Sequence, residues 1–413
     1  MNMDLYLIIF TFEATRTDIT YERHKELFIE LEKHFTVHLV NCEEADSIPA
    51  NVYKMAFIAN GSVEDKVISN FSVFPYPITL LTDGLYNSLA ASAEIVASIR
   101  SKDLRARIIH GSPEEMVQDV LLHYRAYSAR KALKGKRIGV IGAPARWLVA
   151  SHVDYFIASK RWGVHYIDIP IETLNDRFAA VTDDMIGMEA SVIANRATAC
   201  QDVTPNDLLR AMRLYKAVRT ICDEERLDAV TLPNISIAHT LQTTGDLALS
   251  LLNDEGISAG CEGDLQSIMT LLMAKKLTGQ TCFMGDTSFV NTGCNEVTLS
   301  HCAIAPSLTD EYFICDHFET HVGIALRGIV HEGDVTVFKC GGECLDEYFV
   351  SEGYLTENGN CPAAPRTQLK IKLEKPVSYF LTNPLGSHHI LIPGRHAAVI
   401  QEFMQHNRCR LRE

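Results

Sequence analysis

Short apolar runs alternate with amphipathic stretches over the first 135 residues, and this alternation constrains the fold more than any other feature of the chain. Residues 5–12, 36–40, 55–59, 78–81 and 107–110 read as strands, and segments such as 21–34 and 90–100 read as the helices between them. Parallel neighbours need a crossover, usually a helix, so the pattern predicts a doubly wound parallel sheet. After the first strand stands Thr11-Phe12-Glu13 rather than a glycine-rich turn. That argues against a dinucleotide site, whose phosphates need close backbone approach.

The basic stretch 130–137 reads as a linker, with Gly135 ending the helix before it. A second series follows, with strands expected at 137–141, 165–169, 190–193 and 229–232 and a strong helix around 205–225. Leu265, Ile268, Met269, Leu272 and Met273 recur at helical spacing within 264–277, and Gly279 marks the stop. Beyond about residue 290 the texture changes to short strands (297–301, 323–329, 335–338, 370–373 and 388–392) broken by Gly, Pro and Asn, with a closing helix over 395–406. The expected organisation is an α/β domain over 1–135, a second over 136–290, and an antiparallel β-rich domain over 291–413.

Composition removes several functional classes. Among 413 residues, 38 Lys and Arg face 52 Asp and Glu, a net charge of −14. A general nucleic-acid binder needs a basic face to neutralise phosphates, so no nucleic-acid partner is expected. With 47% hydrophobic residues the chain can bury ordinary cores. The apolar run at 5–12 lacks the basic flank and cleavage site of a secretory signal, and no run nears the roughly 20 residues of a membrane span. A cytoplasmic protein with no membrane partner is expected. Eight of the 12 cysteines lie between Cys261 and Cys361, without zinc-finger spacing, and read as reduced, buried thiols.

Two carboxylates carry potential chemistry. Glu262 stands just before the helix at 264–277, and Asp286 ends a strand expected at 281–285. A carboxylate at a helix entrance and another at a strand's carboxyl end converge at the crevice where open α/β sheets bind ligands. Capping and turn formation are the ordinary uses of Glu262 or Asp264 and of Asp286. Of the adjacent His388 and His389, only one can enter a given site, because strand neighbours point to opposite faces. His301 ends another strand. His317 and His321 have i, i+4 spacing, but Glu319 is not where a helical zinc-protease motif needs its base. Two carboxylates and one imidazole suit a hard divalent ion such as Mn²⁺ or Mg²⁺.

The ordered set Gly260-Cys261-Glu262-Gly263-Asp264, Leu277-Thr278-Gly279, Met284-Gly285-Asp286, Ser300-His301-Cys302 and Gly386-Ser387-His388-His389 resembles the L-fucose isomerase and L-arabinose isomerase superfamily, in particular its fucose isomerase-like branch. Asn87-Ser88-Leu89-Ala90-Ala91, Gly142-Ala143-Pro144-Ala145-Arg146-Trp147-Leu148 and Trp162-Gly163-Val164 extend the likeness over about residues 80 to 405. The resemblance implies two doubly wound, flavodoxin-like α/β domains followed by the β-rich one. It further implies a metal-dependent aldose–ketose isomerase working on a monosaccharide through a cis-enediol. Mn²⁺, Mg²⁺ or Co²⁺ would be held by Glu262, Asp286 and His389, with Glu262 and Asp286 also sharing the proton transfer. Arg146, Trp147, Asn87, His301 and His388 fall to the substrate side. The resemblance also implies a homo-oligomer, a trimer or hexamer, with sites between subunits. Two alternatives stay open: an anionic sugar, sulfonated or phosphorylated, met by Arg146, or a non-catalytic sugar binder.

Overall fold

The computed structural model describes residues 3–12 and 17–413. Glu13, of the segment Thr11-Phe12-Glu13, lies outside the described residues. Two compact units divide the chain, Met1–Tyr127 and Ser128–Glu413. In the first, β1 (Met3–Phe10), β2 (Phe35–Asn41), β3 (Lys54–Ile58), β4 (Ile78–Leu81) and β5 (Ala106–Ile109) form one parallel sheet in the order β2-β1-β3-β4-β5. Alternation along β1 sends Leu5, Leu7 and Ile9 into a core with Phe28 and Leu31, and Ile8 and Phe10 into another with Ile95 and Ile99. Both faces of the sheet are therefore covered, which is why β1, an interior strand, reads as an unbroken apolar run over Leu5–Phe10.

The second unit continues with β6 (Arg137–Ile141), β7 (His165–Ile169), β8 (Ala199–Gln201), β9 (Ala229–Leu232) and β10 (Ser258–Cys261). A four-stranded parallel sheet runs β10-β9-β6-β7. Next come β11 (Phe283–Asn291), β12 (Glu296–His301), β13 (Glu311–Cys315), β14 (Ala325–Ile329), β15 (Gly333–Gly341), β16 (Glu347–Asn358), β17 (Thr367–Leu373), β18 (His388–Pro393) and β19 (Arg410–Leu411). The antiparallel strands β15-β18-β11-β12-β17-β16 close on themselves through β15–β16 pairing, a barrel on which β19 is an appended edge. The fold is thus mixed α/β, with parallel sheets first and a β-rich barrel last. Among the described residues, no helix is long and apolar enough to cross a membrane.

One expected strand is overturned. Residues 190–193 belong to the helix Asp183–Arg196, where Ile186 and Ala190, four apart, both face the core. A four-residue apolar run carries no periodicity of its own, so its flanks decide. The strand without an apolar signal is β10, Ser-Ala-Gly-Cys, formed by backbone pairing with β9. Its side chains are small because the space is taken: a Cβ on Gly260 would lie 3.3 Å from the Met284 sulfur.

The helix Leu265–Thr278 is buried on every face, since it packs on β9 and β10 as well as on β15 and β18 of the barrel. Its apolar stripe was legible, but the polar residues Gln266, Ser267 and Thr270 are equally enclosed and each is partnered. Gln266 Nε2 donates to the carbonyls of Ala150 and His152, and Thr270 Oγ1 takes the Cys340 amide. This helix joins the two halves of the unit, and the candidate site lies at its amino end.

Candidate active site

A cavity of about 400 Å³ opens where the carboxyl ends of β6, β9 and β10 meet the barrel, and every residue lining it belongs to the second unit. The loop after β6 supplies Trp147 and Leu148, the start of the helix Asn234–Leu241 after β9 supplies Asn234 and Ile235, and the end of β10 delivers Cys261 and, just beyond it, Glu262. Asp286, His301 and His388 enter from β11, β12 and β18, with His317 and Glu319 on the loop after β13. This is the carboxyl-end crevice expected of an open α/β sheet.

Local backbone geometry separates the two jobs in Glu262-Gly263-Asp264. Asp264 is the helix cap, its Oδ1 accepting the Ser267 amide at 2.8 Å. Glu262 is therefore free of capping. Its backbone is left-handed, with φ +63°, and Gly263 follows at φ +70°. A side chain at 263 could not be accommodated, because its Cβ would lie 2.5 Å from the Pro144 Cα. A non-glycine residue in the left-handed region is strained and is held only where its surroundings demand it. Here the Glu262 carbonyl accepts the Ala145 amide, and the carboxyl turns to the cavity wall.

Strand register decides between the adjacent histidines. In the β11–β18 ladder Asp286 lies opposite His388, and Gly285 opposite His389. Directly opposed residues share a face, so His388, not His389, is turned to Asp286. This reverses the choice made from the resemblance. His388 Nε2 lies 3.3 Å from Asp286 Oδ1, and its Nδ1 lies 2.9 Å from Asp264 Oδ2. His389 points into the barrel core against Phe349, Tyr379 and Phe380. Both its nitrogens are occupied: Nδ1 donates to the Ser387 carbonyl, and Nε2 accepts from Tyr379 at 3.1 Å. Burial and the Lys339 charge push it down to about 3.

The electrostatics set the two carboxylates apart. Burial first, then the charge of Asp246, raises Glu262 from 4.5 to about 7, against the opposing charge of His388. Burial would also raise Asp286, but the His388 charge and hydrogen bond, with His301 and Ser387, outweigh it and hold that carboxyl well below the usual range. Burial opposes charge on His388, yet the charge of Asp286 and the hydrogen bonds to Asp264 and Asp286 lift it to about 10. Two carboxyls in one cavity with values pushed apart are an arrangement capable of acid–base chemistry.

The residues fit a divalent ion. Asp286, His301 and His388 each offer a donor atom, all within 4.8 Å of one another. The Ala303 amide donates to His301 Nδ1, leaving Nε2 as the available nitrogen. Glu262 does not belong to this group, but it lines the same cavity, and its Oε2 is buried without a hydrogen-bond partner among the described residues. Buried carboxylate oxygens rarely go unmatched, so this one is an open acceptor on the cavity wall.

Of the other expected residues, Trp147 lines the cavity, while Arg146 is exposed and is not part of the wall. Asn87 belongs to the first unit, at the start of the helix Ser88–Ser101, where its side chain makes no capping bond. Three residues carried no signal for this site. Asn234 binds Asp246 through Nδ2 at 3.0 Å, and Lys339, fully buried, lies 3.7 Å from Asp264 Oδ2. An acidic residue on a helix start and a lysine inside a strand look ordinary until the chain closes.

No protein-family model matches the chain. It is similar to the sulfoquinovose isomerase of Alkalicoccus urumqiensis, with 25% identity over 343 residues, 77% of this chain and 74% of that protein. It is also similar to the sulfoquinovose isomerase of Clostridium sp. (strain MSTE9), with 22% identity over 226 residues, 53% of this chain and 50% of that one.

Proposed function

We propose that this chain is a metal-dependent isomerase of the fucose isomerase-like kind, converting an aldose to its ketose through a cis-enediol, and that its substrate is a sulfonated sugar. One observation carries the reading. Glu262 is a buried carboxyl with an unpartnered oxygen, poised near pH 7, on a cavity wall that also presents an ionised Asp286. The relatives' names support a sugar isomerase and favour the sulfonated substrate.

A group that must both remove and return a proton works best with its pKa near the working pH. Ionised Glu262 takes the proton from C2 of the aldose, and the hydroxyl proton moves from O2 to O1 across the enediol. A proton is then returned to C1, giving the ketose. Asp286 is the companion carboxylate for these transfers, and Trp147 offers a flat apolar face to the sugar ring. Glu262, Asp286 and His388, with His301 beside them, would hold Mn²⁺, Mg²⁺ or Co²⁺. Such an ion, when bound, would supply Lewis-acid polarisation of the sugar carbonyl.

The test is a ketose-detection screen of neutral, phosphorylated and sulfonated aldoses with added Mn²⁺. Ketose from the sulfonated aldose is expected; no ketose from any of them sinks the isomerase reading. Among the described residues the cavity wall carries no Lys or Arg, so Arg146, beside Trp147, is the proposed partner of the anionic group. Arg146→Ala is expected to raise KM for the sulfonated aldose by about 10- to 100-fold, the worth of a charge-assisted hydrogen bond. Equal KM values for variant and parent would remove that role.

Ion binding also has a pH signature. Glu262 and His388 must give up protons to become ligands, and both sit above their ordinary values. Affinity for Mn²⁺ should therefore rise with pH, by about 10- to 100-fold per unit below pH 7, as one or two protons are released. Paramagnetic resonance titration of free Mn²⁺ measures this, and a flat profile contradicts the ligand set. The same titration separates the histidines: His388→Ala should weaken binding at least about tenfold, whereas His389→Ala should leave it unchanged. The reading also carries a homo-oligomer, trimer or hexamer, in the cytoplasm. Trp147 at 58% and Val149 at 80% exposure offer apolar surface to a neighbouring copy, which light scattering would detect.

A further inference from the structure

We propose that Asp246, Cys261 and His301 form a second cation position beside the cavity, suited to a thiophilic divalent ion such as Zn²⁺ and exclusive of the position at Asp286 and His388. It stands on geometry alone and does not depend on the isomerase reading.

The three residues come from separate elements. Asp246 opens the helix Asp246–Asp254, Cys261 ends β10, and His301 ends β12. Each offers one donor atom, all within 4.8 Å of one another, and the residues are only 0%, 2% and 7% exposed. Asp246 supplies the independent sign of a ligand. Its Oδ1 is held by Asn234, while its Oδ2 is buried with no hydrogen-bond partner among the described residues. A buried carboxylate oxygen left alone is costly, and a cation is one of the few groups that can meet it. His301 is prepared in the same sense, because the Ala303 amide occupies Nδ1 and frees Nε2.

Donor chemistry selects the ion. One sulfur, one imidazole nitrogen and one carboxylate oxygen suit tetrahedral Zn²⁺ and suit Mn²⁺ or Mg²⁺ poorly. The Cys261 thiol gives its proton to solvent as the sulfur–zinc bond forms, so thiolate and carboxylate together balance the charge of the ion. Cys261 Sγ lies 3.7 Å from Glu262 Oε1, which places a fourth donor within reach. His301 belongs to both groups of potential ligands, and its one free nitrogen can serve only one ion. Occupation of the thiol position therefore takes His301 away from Asp286 and His388.

The test uses Co²⁺ as a coloured stand-in for Zn²⁺ on the full chain, with exposed Cys200, Cys294 and Cys361 changed to Ser. A near-ultraviolet thiolate-to-cobalt absorption is expected, saturating at about one ion per chain and displaced by Zn²⁺. Cys261→Ala should abolish the band, Asp246→Asn should weaken Co²⁺ binding about tenfold or more, and Cys302→Ala should leave both intact. Absence of the band, or its survival in Cys261→Ala, overturns the proposal. Should Cys261→Ala fail to fold, zinc X-ray absorption on the parent protein decides: one sulfur at about 2.3 Å supports the position, and a shell of oxygen and nitrogen alone removes it. Isomerase turnover enters neither readout, so failure of one idea is distinguishable from failure of the other.

Discussion

Glu262→Gln is expected to lower kcat for ketose formation by about 10²- to 10⁴-fold, the usual worth of a positioned general acid–base group. The exchange keeps shape and removes only the ability to carry a proton and a charge, so the cavity should stay intact. A second measurement shows that the cause is electrostatic. In the chelator-treated protein, the folded-state value near 7 stands above the ordinary 4.5. A raised value means that the stability associated with the neutral carboxyl is present below pH 4.5 and is lost as pH climbs through about 7. Parent and variant should therefore diverge over that window, the variant becoming relatively more stable by up to about 3 kcal/mol. Urea unfolding at several pH values reads this directly. Turnover surviving at the parent's level would remove Glu262 from the chemistry, and parallel stability curves would show that its carboxyl is not perturbed.

The α/β repeats were legible because strands covered on both faces leave continuous apolar runs, as at Leu5–Phe10. Glu262 stands where a sequence-local feature, a strand end before a helix, places it. Asp286, in contrast, is the fourth residue of β11 rather than at the strand end expected at 285, and its place on the cavity wall comes from the pairing of β11 with β18. The choice between His388 and His389 was not legible. Alternation fixes that they point apart, but which one meets Asp286 depends on pairing between strands about 100 residues apart in the chain. β10 was missed for a related reason: its small residues answer to Met284 and the helix Leu265–Thr278 rather than to strand propensity. The stripe on that helix was read from one side, whereas enclosure by both the parallel sheet and the barrel makes its polar residues structural as well. Asp246, Lys339 and Asn234 matter through partners that no local pattern announces.

Asp264→Asn is expected to be the most destabilising exchange at the site, by about 3–5 kcal/mol. Asp264 and Lys339 both have fully buried side chains, 3.7 Å apart, and Lys339 also donates to Ser267 Oγ at 2.5 Å. Burial lowers Lys339, and the charge of Asp264 opposes that loss. Asn is as good a helix cap as Asp, so the change spares the bond to the Ser267 amide and removes the charge. What remains is an uncompensated buried ammonium and a His388 without the carboxylate that fixes its Nδ1 proton. These two consequences can be separated by a double-mutant cycle with Lys339→Met, which replaces the stranded cation by an apolar chain of similar length. Replacing both members of a buried pair is often nearly neutral, so the double variant should regain most of the lost stability in urea unfolding. It should not regain Mn²⁺ affinity, which is expected to stay about 10- to 100-fold below the parent, because the carboxylate orienting His388 is still missing. If affinity returned together with stability, Asp264 would be a structural counter-ion to Lys339 and nothing more. If Asp264→Asn cost little to begin with, the Asp264–Lys339 pair would not be what holds the amino end of this helix against the barrel.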